Sequence, residues 1–325
     1  MENNRAVSYF DCIVLNNFCN ICNNEFQCHF FRICAIMGNE KGYKYMKITY
    51  FGTTTLLFDD GKDQILFDCH FTRPSLPDYI RSKETVSDTA LINELLRKHH
   101  IDRLRAIFIS HTHHDHVLDA PYTALQTGAV IYGSSSAMNV ARGGNVPESQ
   151  MVQFADNTSY TVGNYRITVI PSLHSKPTIL NNDLGETIDA PLVQPAKLRD
   201  YKEGGSYDFY FETPEKTYMI RPSFNYIKGQ MDPYKADILF LGVAGLAKAD
   251  AETERTFFAE TAAKLQPKLI IPVHWDNFFS RLDVPARGMV PLVEHTEVVF
   301  FKLMQYCEEH QIDFVVQIPR TSITL

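Results

Sequence analysis

The 325-residue chain holds seven cysteines, and only Cys69 and Cys307 lie beyond residue 34. A disulfide-built fold would spread its bridges more evenly, so cysteine usage predicts a reducing, cytoplasmic setting. No stretch approaches the ~18 apolar residues that suggest a membrane span. The first residues lack a basic segment followed by a clean apolar one, so no secretory signal is expected. Lysine and arginine number 31 against 38 acids, a formal charge of −7 with no long basic block. That balance argues against a nucleic-acid backbone as the main partner. No internal period of about 20–50 residues and no low-complexity tract is present. What is there is a globular composition, 45% hydrophobic, enough for a sizeable core.

Residues 1–45 are rich in Asn, Cys and Phe and show neither a strand nor a helix period. They are expected to form a poorly ordered extension. The alternative is a zinc knuckle on Cys19-x-x-Cys22, with Cys12 and Cys28 outside it, though a zinc ribbon normally shows two spaced pairs. One domain is expected over 46–325. It starts at Met46, where "MKITYFGTTTLLFDDGKDQILFDCH" alternates as two or three strands with a turn at Asp59-Asp60-Gly61. Helices are expected at 86–100, with Ile92, Leu95 and Leu96 on one face, at 119–127 up to Gly128, within "SSAMNVARGG", and at 251–265 and 292–310. Strands are expected at 104–110, in "AVIYG", in hairpins at Gly163-Asn164 and in "SYDFYFETPEKTYMI", in "ADILFLGVAGL" and "KLIIPVHW", and finally in "DFVVQI". The proline-punctuated stretch 175–205 is a long loop, of the kind that carries function or is disordered.

The stretch "IFISHTHHDHVLDA", residues 107–120, packs four histidines and an aspartate into six positions after an apolar run. Imidazoles this close repel one another once protonated, and a metal ion among them removes the conflict. If the strand continues, side-chain alternation points His111 and His113 the same way, toward one ion. Asp115 and His116 follow a turn and are placed for a second ion. His174 follows "TVIPSL" and His274 follows "KLIIPV". Strand ends at one sheet edge are where open sheets place their sites. His29, His99, His100, His295 and His310 read as solvated. His114 is expected to point away from the ligands. His70, in "FDCHFTRP", reads as a loop residue before it reads as a substrate contact.

His111-Thr112-His113-His114-Asp115-His116 matches the pattern H-x-H-x-D-H, and on these residues the chain resembles the metallo-β-lactamase superfamily. Asp68, closing "QILFDCH", is similar to the aspartate that braces the family's metal loop. His174 resembles the third-motif ligand, and His274, in "IPVHWDNF", the last. "VHWDNF" with "DILFLGVAGL" is similar to the ascorbate-phosphate lactonase branch. The resemblance covers residues 46–318. It implies an α/β fold, a four-layer αββα sandwich of two mixed β-sheets with the site along one edge. It also implies one ion on His111, His113 and His174 and another on Asp115, His116 and His274. Zn²⁺ suits imidazole and carboxylate ligands, with Mn²⁺ or Fe²⁺ left open. The chain departs from the family at the aspartate that bridges the two ions. The matching stretch "TYMIRPSFNY" has no acid, and Pro222-Ser223 stands in its place. One tight ion and a second, weaker one are therefore expected.

The expected function is a hydrolase whose water, acidified by zinc to a pKa of about 7, attacks a carbonyl or phosphoryl centre. Asp115 and His116 are the candidate catalytic residues, Asp115 orienting the nucleophile. Five neutral histidines and one carboxylate leave such a site net positive, which favours a small anionic ester, lactone or phosphodiester. Lys176, Arg199 and Lys202 in the long loop add to that attraction. Three rivals stand beside this reading. A ribonuclease-Z-like phosphodiesterase lacks its basic surface here. A diiron enzyme of this fold would carry Glu where His113 stands. A degenerate, non-catalytic metal binder is favoured by the missing bridge. No membrane or nucleic-acid partner is expected, and a homo-oligomer is left open.

Overall fold

The alternation that starts at Met46 becomes three antiparallel strands, β1 (Lys47–Gly52), β2 (Thr55–Asp59) and β3 (Gln64–Phe67). This computed structural model describes residues 45–177 and 182–325. The cysteine-rich segment, with its expected disorder and its Cys-x-x-Cys spacing, lies outside the described residues. The two cysteines within them, Cys69 and Cys307, are buried and unbridged. In the β2–β3 turn, Asp60 Oδ1 accepts from Lys62 N and Asp63 N, both at 2.7 Å, which closes the predicted turn.

The chain continues through α1 (Leu76–Ile80), the short β4 (Glu84–Thr85), α2 (Thr89–Lys98), β5 (Leu104–Phe108), the single turn α3 (His114–Val117), α4 (Ala120–Thr127), β6 (Val130–Gly133), α5 (Ser135–Gly143) and β7 (Met151–Gln153). A hairpin of β8 (Ser159–Val162) and β9 (Tyr165–Ser172) leads into the long loop, which carries only β10 (Ala196–Lys197) as a strand. Then come β11 (Ser206–Glu212), β12 (Thr217–Arg221), β13 (Ile238–Gly242), α6 (Ala251–Glu260), α7 (Ala262–Leu265), β14 (Leu269–Val273), α8 (Thr296–His310), β15 (Asp313–Phe314) and β16 (Thr321–Thr324). Gly128 ends α4 in the left-handed conformation, φ 75°, as its position predicts.

Two seven-stranded sheets result, in the orders β16-β1-β2-β3-β5-β6-β7 and β15-β14-β13-β12-β11-β9-β8. Each is antiparallel in one half and parallel in the other. The core between them is aromatic: Phe58 meets Phe67, Phe211, Tyr218 and Phe240 at centroid distances of 5.0–5.7 Å. Truncating a phenylalanine packed this way costs about 3–5 kcal/mol. A second apolar cluster sets α2, α4 and α5 against the outer face of the first sheet. Phe257, Phe258, Val299 and Leu303 of α6 and α8 join the core from the side of the second sheet. The α/β sandwich of two mixed sheets is as expected.

Four local expectations need correction. The predicted helix 251–265 breaks at Thr261, whose backbone (φ −119°, ψ −89°) is not helical and whose hydroxyl donates to Phe257 O. The predicted helix 292–310 starts only at Thr296. Residues before it form a turn, because the buried Glu294 side chain binds backbone N–H groups of Gly245 and Ala247. "DFVVQI" pairs only over Asp313–Phe314, and the closing strand is β16, which adds to the edge at β1. His99 is not solvated: its ring lies edge-on to Phe51 at 4.9 Å, and burial, helped by Lys98 and Lys47, pushes its pKa down to about 4.

Candidate metal centre

Strands β3, β5, β9, β12 and β14 all end at one edge of the sandwich, and the residues that follow them build the site. Asp68 comes directly after β3 with φ 52°, a left-handed conformation that aspartate tolerates. This turns its buried carboxylate across to β5. There Oδ1 accepts from Ser110 N at 2.8 Å, and Oδ2 accepts from Ser110 Oγ at 2.8 Å, from Thr54 Oγ1 and from His116 Nδ1 at 2.7 Å. A carboxylate only accepts, so the His116 proton sits on Nδ1 and the lone pair on Nε2. Ser110 Oγ donates to Asp68 and therefore accepts from His111 Nδ1 at 3.1 Å. His111 Nε2 is left with a lone pair as well. Both Nε2 atoms are buried without a hydrogen-bond partner.

The convergence of His111 and His113 has a different cause from the one the sequence predicts. Strand β5 stops at Phe108, and the histidines sit on irregular chain before α3. That chain is pinned from the long loop and from the start of β11: Thr112 N donates to Glu203 O at 2.8 Å, and Tyr207 N donates to Ser110 O at 2.9 Å. Glu203 is itself fixed, accepting from Gly185 N at 2.6 Å and Ser206 Oγ at 2.7 Å. Asp115 and His116 then leave in a new direction, on the first turn of α3.

His174 follows β9, and its Nδ1 donates to Ser175 O at 3.0 Å. Its own carbonyl accepts from Asn225 Nδ2 at 2.7 Å, and Asn225 O accepts from Arg221 Nη2 at 2.9 Å. Arg221 is fully buried and paired with Asp208 at 2.8 Å. His274 follows β14 with φ 60°, uncommon for a histidine and of the kind of strain that collects at functional sites. Its N–H donates to Thr53 O at 2.6 Å. The Thr53 turn is held in turn by Asp276, which accepts from Thr53 N, Tyr50 Oη and Arg73 Nη1, each at 2.8 Å. Gly52, at φ 99°, lets Arg73 and Asp276 approach where a Cβ would collide with both.

All six predicted ligands are brought together in two groups. One atom each of His111, His113 and His174 lie within 4.8 Å of one another, and so do those of Asp115, His116 and His274. The His111 and His116 rings, one from each group, are 3.7 Å apart between centroids. Burial, with His116, His174 and His113 around it, holds His111 well below the usual imidazole range. Burial and His113 push His174 down to about 3. Burial pushes the Asp115 carboxyl up, but His116, His274 and His114 outweigh it and hold Asp115 well below the carboxylate range. Burial lowers His274 less than Asp115, 3.3 Å from its Nε2, raises it.

His114 belongs to neither ligand group; its ring stacks on Tyr79 at 5.5 Å, and it lines the cavity. His70 is fully buried and does not line the cavity, so it is not a substrate contact. Ser223 lies on the cavity wall just beyond β12. Sequence reasoning missed Asp183, whose Oδ1 accepts from His113 Nε2 at 3.1 Å. The only signal for it was an acid in a long loop. The groups open on a cavity of about 690 Å³, with His113, Asp115, His174 and His274 in its wall. The predicted cations Lys176, Arg199 and Lys202 line it, together with Lys248.

The sequence matches the Beta-lactamase superfamily domain over residues 63–275. It is 33% identical over 81 residues to a metal-dependent hydrolase of Chloroflexus aurantiacus, a match covering 25% of this chain and only 33% of that relative. In structure it is similar to a metallo hydrolase of the archaeon Ignicoccus hospitalis, with a TM-score of 0.53, 14% identity, and coverage of 86% and 98% of the two chains. A metallo-beta-lactamase fold protein of Bacillus subtilis gives 0.53 at 15% identity over 87% and 100%. Similarity at these identities extends to the fold alone. With a match over well more than half its length, the chain belongs to the beta-lactamase superfamily.

Proposed function

We propose that the chain is a metal-dependent hydrolase acting on a small anionic ester, lactone or phosphodiester. The observation that carries this reading is the pair of ligand groups side by side in the wall of a cavity whose lining carries both cations and acids. The donor set suits zinc or a similar divalent ion, since the buried Nε2 atoms of His111 and His116 have no other partner. His111, His113 and His174 would hold one ion, and Asp115, His116 and His274 a second. Ions held there supply Lewis acidity and a water acidic enough to deprotonate near neutral pH.

The chain's own residues do the rest. Asp183 holds the proton at His113 Nε2 and leaves Nδ1 for the ion, and Asp68 does the same at His116 Nδ1. Asp115, held ionised and set in the cavity wall, accepts a hydrogen bond from the attacking water and orients it. Lys176, Arg199 and Lys248 draw an anion toward the ligands past the acids Asp183, Asp250 and Glu294 of the same wall, while Lys202 is paired with Glu186. Ser223 stands where a bridging carboxylate is expected, and this favours a second reading, a metal binder without turnover.

The test is turnover of a panel of phosphodiesters, lactones and esters by the full chain, with metal content measured alongside. Hydrolysis of at least one class, lost on chelation and restored by Zn²⁺ or Mn²⁺, is the expected result. Stoichiometric metal without turnover of any class would leave the metal-binder reading.

A further inference from the structure

The two large apolar clusters belong to the layers of the sandwich, but a third does not. Tyr79, Leu198, Phe279 and Met289 form it, with Phe278 and Val293 packed against them. These residues come from α1, from the long loop and from the chain after β14, and every one of them also lines the cavity. This small cluster is distinct from the two main cores and packs against His114, whose ring stacks on Tyr79. Its position beside the site accounts for it.

The rings are arranged as a wall. Tyr79 and Phe279 are 5.7 Å apart, and Phe278 and Phe279 4.5 Å. Phe278 stands edge-on to His274 at 5.3 Å and 89°. The wall therefore begins at the Asp115/His116/His274 group. At its other end the guanidinium of Arg199 lies 5.4 Å from the centre of the Tyr79 ring. Arg199 makes no ion pair with a carboxylate among the described residues, and its guanidinium is hydrogen-bonded to the Tyr79 side chain. Its charge is thus available to a ligand lying along the wall. The neighbouring Lys202 is different, since it is paired with Glu186 at 2.8 Å.

We propose that this wall is a subsite for a flat aryl group on the substrate, and that Arg199 reads a negative charge carried at the outer end of that group. The inference rests on the hydrolase reading above and names its substrate class: anionic esters, lactones or phosphodiesters bearing an aryl acid. Offset stacking and edge-to-face contact favour a planar ring over an alkyl group of equal charge. A guanidinium already on a ring face favours a carboxylate in the plane beside it.

The test is calorimetric binding of three unreactive phosphonates to the zinc-loaded full chain. Phenylphosphonate should bind about tenfold more tightly than methylphosphonate. A carboxylate para to the phosphonate should add about fivefold more. Phe278→Ala should remove the first step while leaving methylphosphonate within about twofold. Arg199→Gln should remove the second step and keep the first. Equal affinity for the methyl and phenyl probes, a ladder unchanged by both variants, or no binding of any probe would each overturn the proposal. The two readings separate cleanly. Turnover with a flat ladder defeats the subsite alone, and a ladder without turnover defeats the hydrolase and leaves the subsite standing.

Discussion

The two ligand groups differ in what they do with their protons. In the His111/His113/His174 group every ring proton is held by a partner outside the group: Ser110 for His111, Asp183 for His113 and Ser175 for His174. Its nitrogens face inward as lone pairs, and burial keeps His111 and His174 neutral far below neutral pH. The Asp115/His116/His274 group contains its own acid. His274 Nε2 points at Asp115 from 3.3 Å, and its pKa is raised for that reason. The first group is set up for a cation, whereas in the second the Asp115 carboxylate favours a proton on His274. An ion entering the second group competes with that proton, so the two sites are expected to differ in affinity even before the missing bridge is considered.

The largest effect should come from breaking the first group. His113→Ala removes one of three inward nitrogens, and most bound metal and all hydrolysis should be lost while circular dichroism shows a folded chain. Wild-type metal content by elemental analysis would show that His113 is not a ligand.

Next in size is Asp68→Asn. An amide cannot accept from Thr54, Ser110 and His116 together, so the His116 ring loses its fixed tautomer. Affinity for the second ion should fall about 10–100-fold, with the first ion less affected. Equal weakening of both ions in a metal titration would mean that Asp68 acts on the loop as a whole.

The comparison also has a pH signature. His274 is raised above its ordinary value, so its proton competes with the ion as pH falls toward and through the usual imidazole range. His111 and His174 are lowered and release no proton on binding there. From about pH 8 to about pH 6, affinity for the second ion should drop much more steeply than for the first. Parallel pH dependences in calorimetry would contradict the assignment of the proton to His274.

The smallest effect is expected from Asp183→Asn. It keeps a hydrogen bond to His113 but removes the charge that makes its other nitrogen a stronger ligand. About a tenfold weakening of the first ion is predicted by the same titration. No change would place Asp183 with the long loop rather than with the metal.

How much of this was legible in the sequence depends on how local each feature is. The six residues that converge in the two groups were readable because four positions fall within His111–His116 and the other two follow apolar strands. Asp68 was readable because it closes a strand. Asp183 was not, because it reaches His113 through a loop whose course is set by Glu203 and its partners. The Arg221–Asn225–His174 connection depends on side-chain contacts that no spacing encodes. In the fold, strands with long apolar runs were clear. The four residues of β16 were not, since their strand exists only by pairing with β1. The break at Thr261 was hidden because a threonine hydroxyl can either continue or end a helix.

The claim that the two ion sites are unequal is tested most directly by zinc titration of the metal-free chain beside Ser223→Asp. A bridging carboxylate would offset the repulsion between two dipositive ions a few ångströms apart, and a serine hydroxyl cannot replace its charge. The wild type should bind zinc in two separable steps, with hydrolysis lost when both are stripped by chelation. Ser223→Asp should tighten the second step and leave the first in place. Two ions bound in the wild type with equal high affinity, or a second step indifferent to the new carboxylate, would contradict the account.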